Sequence, residues 1–294
     1  MFAGFAGHRL RANGVVINLL VGGAGPPLLL LHGAPQTHFI WHGVAERLAR
    51  DFTVVATDLR GYGDSDKPPG RPDHANYSKR TMALDQVEVM RLLGFEEFIV
   101  VGHDRGGRVG HRMALDHPER VSRLATLDIA PTLAMYEQTS MEFARAYFHW
   151  FFLIQPSPMP ERLIGSDPEL YLRSALGGRS AGLTPFTGPA LAEYSRCLRQ
   201  PATIHAMCED YRAAASIDLE HDRADREAGR LIECDTLALW GAEGVVARCF
   251  RPLDEWQRVA RRVRGRALAC GHYIPEEAPQ ALLAELLPFI EENA

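Results

Sequence analysis

A short strand that leads through a glycine-rich turn into a helix limits the folds open to this sequence of 294 residues. Residues 98–101 (FIVV) are a β-branched and aromatic run, which predicts a buried strand. Residues 108–117 have helical character and stop at Pro118. The turn between them includes GHDRG, with Asp104 at its centre. Glycine tolerates the strained backbone of such a turn, which pushes the central side chain outwards.

This strand–turn–helix pattern predicts a nucleophile elbow of the α/β-hydrolase fold. A serine at the centre of the elbow would acylate. Asp104 would instead attack carbon and leave an alkyl ester on the enzyme, which favours carbon–halogen or epoxide bonds as targets. The alternative is a glycine-rich turn whose aspartate is solvated and has no catalytic role. The rest of the chain favours the elbow.

Alternating strand and helix patterns predict a mostly parallel sheet flanked by helices. Predicted strands lie at residues 15–21, 28–31, 52–57, 98–101, 124–129, 236–240 and 266–269, and predicted helices at 41–50, 78–93, 108–117 and 279–292. Between residues 134 and 226, helical stretches are broken by Pro and Gly and strand character is scarce. We therefore expect an α/β-hydrolase core over residues 1–132 and 229–294, with a helical cap inserted over residues 133–228.

The composition favours a globular protein of the cytoplasm. A net charge of −5 gives no basic surface, so we expect no nucleic-acid partner. The five cysteines are odd in number and lack CxxC spacing, which predicts free thiols in a reducing compartment and no zinc site. Residues 1–13 lack the apolar stretch of a signal peptide, and the densest apolar run, residues 148–154, is too short to span a bilayer.

The expected chain order of nucleophile, acid and histidine directs attention to His272, which follows the last predicted strand and precedes the last helix. Its orienting acid has two candidates. Asp128 lies in a run so apolar that a charge there needs a partner, whereas Glu243 follows the next strand, and we favour Asp128. The predicted oxyanion hole consists of the backbone N–H groups of Ala34 and Arg105.

Arg105 and Arg108 lie in the first turn after the predicted nucleophile. Their i,i+3 spacing lets the two side chains converge. Two guanidiniums beside an anionic Asp104 would clamp a substrate carboxylate and offset its repulsion from the nucleophile. For either arginine taken alone, a solvated helix residue is the alternative.

Residues 101–112 (VGHDRGGRVGHR) resemble the elbow of the fluoroacetate dehalogenases. The resemblance continues through residues 35–38 (PQTH), 58–65 (DLRGYGDS), 149–156 (HWFFLIQP), 208–212 (CEDYR) and 271–279 (GHYIPEEAP). It implies a hydrolase of short 2-haloacids such as fluoroacetate, with no cofactor and no metal, and it suggests a homodimer. It also implies that His149, Trp150 and Tyr211 of the cap bind the departing halide, since each offers an N–H or O–H donor. The family commonly has a bulkier residue in place of Ala34.

Three other functions are possible for an aspartate at such an elbow. An epoxide hydrolase would need two cap tyrosines, which this chain could supply, but it typically has Trp at the position of Arg105. A haloalkane dehalogenase acts on neutral alkyl halides, which would offer the two arginines no carboxylate to bind. A non-catalytic binding protein on the same fold is disfavoured by the complete set of Asp104, Asp128 and His272.

Overall fold

A computed structural model describes residues 1–179 and 181–291 of the chain. The strands are β1 Phe5–Ala12, β2 Val15–Gly22, β3 Pro27–Leu31, β4 Thr53–Thr57, β5 Phe98–His103, β6 Val121–Leu127, β7 Asp235–Gly241 and β8 Val263–Leu268. They form one sheet in the order β1-β2-β4-β3-β5-β6-β7-β8. Strand β2 pairs antiparallel with β1 and β4, and every other pair is parallel. The expected mostly parallel sheet is confirmed.

Helices flank this sheet and fill the segment between β6 and β7. The helices are α1 Ala45–Leu48, α2 Lys79–Leu92, α3 Arg105–Asp116, α4 Thr132–Glu137, α5 Met141–Ala146, α6 Phe148–Phe152, α7 Met159–Ser166, α8 Pro168–Gly177, α9 Gly188–Leu198, α10 Pro201–Ala214, α11 Ile217–Glu227, α12 Val245–Cys249, α13 Pro252–Gln257, α14 Ile274–Glu277 and α15 Pro279–Glu291, with 3₁₀ turns at His38–Gly43 and Ala75–Tyr77. Within the described residues, the segment that holds α4 to α11 contains no strand. The division of the chain at residues 133 and 228 stays a prediction.

The central strands are buried because helices cover both faces of the sheet. All six residues of β5 are buried, and β3 is buried from Leu28 onwards. Two apolar clusters, one on each side of the sheet, contain alternate residues of these strands, for example Leu29 in one and Leu28 in the other. Because β3, β5, β6 and β8 run in the same direction, the loops after their carboxyl ends meet at one edge of the sheet.

The structure departs from the sequence predictions mainly at the amino-terminal end. The sequence did not predict β1, whose residues are mostly exposed and so lack a clear apolar alternation. The helix predicted over residues 41–50 is wrong in its first half, where a 3₁₀ turn, His38–Gly43, precedes the short α1. Residue 292, the predicted end of the last helix, lies outside the described residues. By contrast, α2 follows its prediction closely, and the hydroxyl of Ser78 caps it by accepting from the backbone N–H of Thr81.

Candidate active site

Asp104 lies on the turn between β5 and α3, in the strained backbone that the sequence predicts. Its φ of 48° and ψ of −113° are rare for a residue other than glycine. The flanking glycines are needed for close approach, because a Cβ atom on Gly102 would lie 2.5 Å from the backbone of Gly106. A Cβ atom on Gly106 would in turn lie 2.4 Å from the carbonyl oxygen of Leu31. The turn thus holds the buried Asp104 carboxylate at the carboxyl edge of the sheet.

His272 and Asp128 meet at the same edge and form a hydrogen-bonded pair. Nδ1 of His272 lies 2.6 Å from Oδ2 of Asp128, and the other carboxylate oxygen accepts from the backbone N–H of Gly241 at 2.9 Å. Donation from Nδ1 leaves Nε2 of His272 as the basic nitrogen, and this atom is buried without a hydrogen-bond partner among the described residues. Asp128 itself has a positive φ of 51°. The pair has the geometry of a general base with an orienting acid.

No hydrogen bond or ion pair joins Glu243, the other candidate acid, to His272 within the described residues. Glu243 is exposed, and its backbone N–H donates to the carbonyl of Cys270 at 3.1 Å. The structure therefore brings together Asp128 and His272, the pair that the sequence favours.

The loop after β3 places a backbone donor against the carboxylate of Asp104. The N–H of Ala34 donates to Oδ1 of Asp104 at 3.0 Å. This approach depends on Gly33, where a Cβ atom would lie 2.6 Å from the Cβ of Asp104. Arg105 is the first residue of α3, and the first N–H groups of a helix have no partner within it. The geometry fits an oxyanion hole made by these two N–H groups.

The side chain of Arg105 is fully buried beside Asp104 and is fixed by a residue of the helical segment between β6 and β7. Its Nε and Nη2 donate to the carboxylate of Asp210 at 2.9 and 2.8 Å, and its guanidinium lies 4.2 Å from the ring centroid of Tyr211. Nη1 is buried with no hydrogen-bond partner among the described residues. A buried N–H group without a partner is costly, so this atom is suited to a ligand oxygen.

Arg108 offers a second unpartnered nitrogen. Its Nη1 donates to the carbonyl of Ala130 at 3.0 Å and to the hydroxyl of Thr132 at 2.9 Å, whereas Nε has no partner within the described chain. The ring of Trp150 lies 4.7 Å from this guanidinium. Both arginines are buried, so neither is a solvated helix residue.

The three cap residues that the resemblance implies for halide binding lie close together. The ring centroids of His149 and Tyr211 are 5.7 Å apart, and those of Trp150 and Tyr211 are 6.4 Å apart. The indole Nε1 of Trp150 is buried and has no hydrogen-bond partner in the part of the chain that the structure describes. Tyr211 on α10 covers Arg105 and Trp150 on α6 covers Arg108, and both arginines belong to α3.

The electrostatic environment keeps the carboxylate of Asp104 ionised and the imidazole of His272 neutral. Burial opposes the charge on Asp104, but His272, His103 and the two adjacent arginines nevertheless lower its pKa below the ordinary value. Burial and the guanidinium of Arg179 lower the pKa of His272 below its ordinary value. At neutral pH the site therefore presents an ionised carboxylate and an imidazole that can accept a proton.

Sequence reasoning did not predict the contacts of three residues that shape this site. Asp210 fixes Arg105, Tyr147 places its hydroxyl 3.2 Å from Nδ1 of His272, and the guanidinium of Arg179 lies beside His149. All three lie in the inserted helical segment, far from the elbow in sequence. The only available signal was the place of Asp210 between Glu209 and Tyr211 in the matching segment CEDYR.

No cluster of His, Cys, Asp and Glu side chains suited to a metal ion occurs among the described residues. The five cysteines, all of which the structure describes, are free thiols. None of the described helices is both long enough and apolar enough to cross a bilayer.

Comparison with known proteins gives the family. Residues 26–279 match the family model described as alpha/beta hydrolase fold. A fluoroacetate dehalogenase from Burkholderia sp is 48% identical over 293 residues, which cover 99% of this chain and 96% of that protein. The chain belongs to the fluoroacetate dehalogenase family of the α/β-hydrolase fold. The expected family and fold are thus confirmed, and with them the expectation of a hydrolase.

Other members of the fold are also similar to this member of the fluoroacetate dehalogenase family. A soluble epoxide hydrolase from Corynebacterium sp. (strain C12) is 36% identical over 286 residues, which cover 96% of each protein. The crystal structure of ALR0039 from Nostoc sp PCC 7120 has a TM-score of 0.97 at 56% identity and covers 99% of both chains.

Proposed function

We propose that this chain is a hydrolytic dehalogenase of short 2-haloacids, with fluoroacetate as the leading candidate substrate. The observation that carries the proposal is the pair of unpartnered buried nitrogens, Nη1 of Arg105 and Nε of Arg108, in the first turn after Asp104. Together they offer a two-point site for a carboxylate directly beside a carboxylate nucleophile. The similarity to the Burkholderia fluoroacetate dehalogenase supports the same substrate class.

In the first step, a carboxylate oxygen of Asp104 attacks the α-carbon of the haloacid in line with the carbon–halogen bond. The C–O bond of an ester forms, and the electron pair of the carbon–halogen bond leaves with the halide. Arg105 and Arg108 hold the substrate carboxylate, which fixes the α-carbon for in-line attack. His149, Trp150 and Tyr211 receive the halide, and their hydrogen bonds strengthen as its charge develops.

In the second step, water attacks the carbonyl carbon of the ester on Asp104. Nε2 of His272 accepts a proton from that water, while Asp128 stabilises the imidazolium that forms. The N–H groups of Ala34 and Arg105 stabilise the tetrahedral oxyanion. Collapse of the intermediate breaks the ester bond, the 2-hydroxyacid takes up the proton from His272, and the carboxyl group of Asp104 releases the second proton of the water to solvent.

A specific observation keeps an epoxide hydrolase as the second candidate. The hydroxyl of Tyr147 and the side chain of Tyr211 lie close to the catalytic pair and the nucleophile, where they could protonate an epoxide oxygen. Arg105 disfavours this function, because an uncharged epoxide offers no anion to the unpartnered Nη1 of that residue. The homodimer and the cytoplasmic location that the sequence suggests also stay predictions.

The proposal is tested by measuring halide release from fluoroacetate, chloroacetate and 2-fluoropropionate, and diol formation from styrene oxide as the epoxide. We expect turnover of the haloacids and little or none of the epoxide. The opposite preference would establish the epoxide hydrolase.

The ester pathway has its own test, a single turnover of chloroacetate in ¹⁸O-labelled water with enzyme in excess. Because the hydroxyl oxygen of the product comes from Asp104, the first glycolate formed should contain ¹⁶O and the labelled oxygen should remain on the enzyme. Labelled glycolate in the first turnover would show direct attack by water and exclude the ester.

A further inference from the structure

A third buried arginine lies beside the site, two residues after the end of α8. The Nε of Arg179 donates to the carbonyl of Ala175 at 3.0 Å, and its guanidinium lies 5.3 Å from the ring centroid of Tyr273. Its backbone carbonyl accepts from the N–H of His272 at 3.0 Å. Both the backbone and the side chain of Arg179 thus contact the segment that holds the predicted base.

Arg179 differs from Arg105 in having no carboxylate partner among the described residues. Buried charges in proteins are normally paired, as Arg105 is with Asp210. Burial opposes the charge on Arg179, but Tyr273, Tyr147 and other nearby groups still raise its pKa above the ordinary value. Arg179 is therefore a buried cation with no direct ion pair among the described residues, although the nearby Asp104 carboxylate also contributes to the rise in its pKa.

The contact of Arg179 with His149 has a defined direction. Nη1 of Arg179 lies 3.4 Å from Nε2 of His149. A guanidinium has donors and no acceptor, so Nε2 must be the unprotonated acceptor of this bond. Burial and the charge of Arg179 lower the pKa of His149 well below its ordinary value, so the imidazole is neutral. A neutral imidazole that accepts at Nε2 carries its proton on Nδ1.

We propose that Arg179 is a positioning residue that holds His149 as the Nδ1–H tautomer and so determines which ring nitrogen donates to the departing halide. The halide part of this inference rests on the proposed dehalogenase function. The tautomer part concerns the resting protein and does not depend on any substrate.

The charge balance of the site supports this role of Arg179 near the departing halide. Displacement of halide moves one negative charge from Asp104 to the leaving atom. Arg105 is already paired with Asp210, and Arg108 is proposed to face the substrate carboxylate. Arg179 is the cation in contact with His149, so it lies at the end of the site where the new negative charge would appear.

The tautomer is measured directly by two-bond ¹H–¹⁵N correlation spectra of protein labelled with ¹⁵N-histidine. The signals of His149 are identified by their loss in His149→Asn. We expect Nδ1 to be protonated in the wild-type protein. In Arg179→Met, which keeps an unbranched chain but removes the donors, the Nε2–H form should become populated. Arg173→Met is the control, since the Arg173 side chain on α8 is 53% exposed.

A protonated Nε2 in the wild-type protein would overturn the inference without any variant, so the test survives even if Arg179→Met fails to fold. An unchanged Nδ1–H signal in a folded Arg179→Met would also overturn it.

Kinetics then test the halide part. Residues that orient a metal-bound histidine typically contribute about 10- to 100-fold to activity, and we expect a loss in that range for Arg179→Met on fluoroacetate. The loss of activity on chloroacetate should be smaller, and Arg173→Met should retain most of its activity on both substrates. Equal losses on both substrates would contradict a role at the halide. If the wild type releases no halide but the tautomer changes as expected, the proposed function fails while the positioning of His149 by Arg179 stands.

Discussion

The carboxylate of Asp210 on α10 fixes the guanidinium of Arg105 on α3, by accepting from Nε at 2.9 Å and from Nη2 at 2.8 Å. The same carboxylate accepts from the hydroxyl of Tyr62 at 2.7 Å and from the ammonium of Lys79. All of these side chains are buried. A residue of the inserted helices therefore determines that Nη1 is the nitrogen of Arg105 left for a substrate.

We predict that Asp210→Asn destabilises the protein strongly. Removing one partner of a buried ion pair leaves uncompensated charge and costs about 3–5 kcal/mol in the free energy of unfolding. The measurement is urea unfolding at neutral pH. The control is Asp64→Asn, because Asp64 pairs with Arg196 at the surface and such pairs contribute at most about 1 kcal/mol. Similar losses in both variants would show that the buried network does not stabilise the fold as inferred.

The residues of the site that could be predicted from sequence are those placed by local chain order. Asp104 follows a buried strand and precedes a helix, and His272 follows the last strand, so parallel strands bring both to one edge of the sheet. Asp128 could be predicted because a carboxylate in an apolar run needs a partner.

Asp210 and Arg179 could not be found in this way, because their roles depend on contacts between distant segments. Asp210 lies 105 residues from Arg105 in the chain, and Arg179 lies 30 residues from His149. Apart from the place of Asp210 in the segment CEDYR, neither has a spacing or neighbour that distinguishes it from a solvated charge. The strand β1 was missed for a related reason, since an exposed edge strand carries little apolar pattern.

Anchoring of the substrate by Arg108 is tested with Arg108→Leu. This arginine has no carboxylate partner within the described residues, so its loss should disturb the fold less than the loss of Arg105. A charge-assisted hydrogen bond contributes about 1.5–3 kcal/mol, which corresponds to roughly 10- to 150-fold in kcat/KM on chloroacetate. Chloroacetamide is the matched uncharged substrate, and kcat/KM on it should fall far less. Comparable losses on both would mean that Arg108 binds no carboxylate.

Covalent catalysis is tested with His272→Asn. The variant retains Asp104 and both arginines, so the ester should form, but the base that activates water is absent. Intact mass after incubation with chloroacetate should increase by one carboxymethyl group, and peptide mapping should locate it on Asp104. Asp104→Asn is the control and should show no adduct at this position. Turnover by His272→Asn without an adduct would argue against the two-step scheme.

A buried carboxyl group near the site predicts pH-dependent stability. Glu276 accepts hydrogen bonds from the hydroxyl of Tyr194 and from Nε2 of Gln36, but burial raises its pKa from the ordinary 4.5 to about 7. A carboxyl group whose pKa is higher in the folded state stabilises the protein below its unfolded pKa, and this contribution is lost as the pH rises through about 7.

Glu276→Gln, which imitates the protonated group, should therefore gain stability relative to the wild type between pH 5 and pH 8, by up to about 3 kcal/mol. Urea unfolding at both pH values measures the change, with the exposed Glu227→Gln as the control. If the free energies of unfolding of variant and wild type differed by the same amount at both pH values, Glu276 would be ionised throughout this range.

The halide pocket is tested with Trp150→Phe, which keeps an aromatic ring against Arg108 and removes the unpartnered indole N–H. Fluoride holds its charge compactly and is a poor leaving group, so its departure should depend strongly on a donor aimed at it. By analogy with the loss of one oxyanion donor, kcat/KM on fluoroacetate should fall about 10²- to 10³-fold. Chloride leaves more readily and accepts hydrogen bonds more weakly, so the loss on chloroacetate should be much smaller. Because both substrates present the same carboxylate to Arg105 and Arg108, the ratio of the two losses isolates the halide. Equal losses on the two substrates would mean that Trp150 only packs the cap against Arg108, and the assignment of the halide pocket would then be wrong.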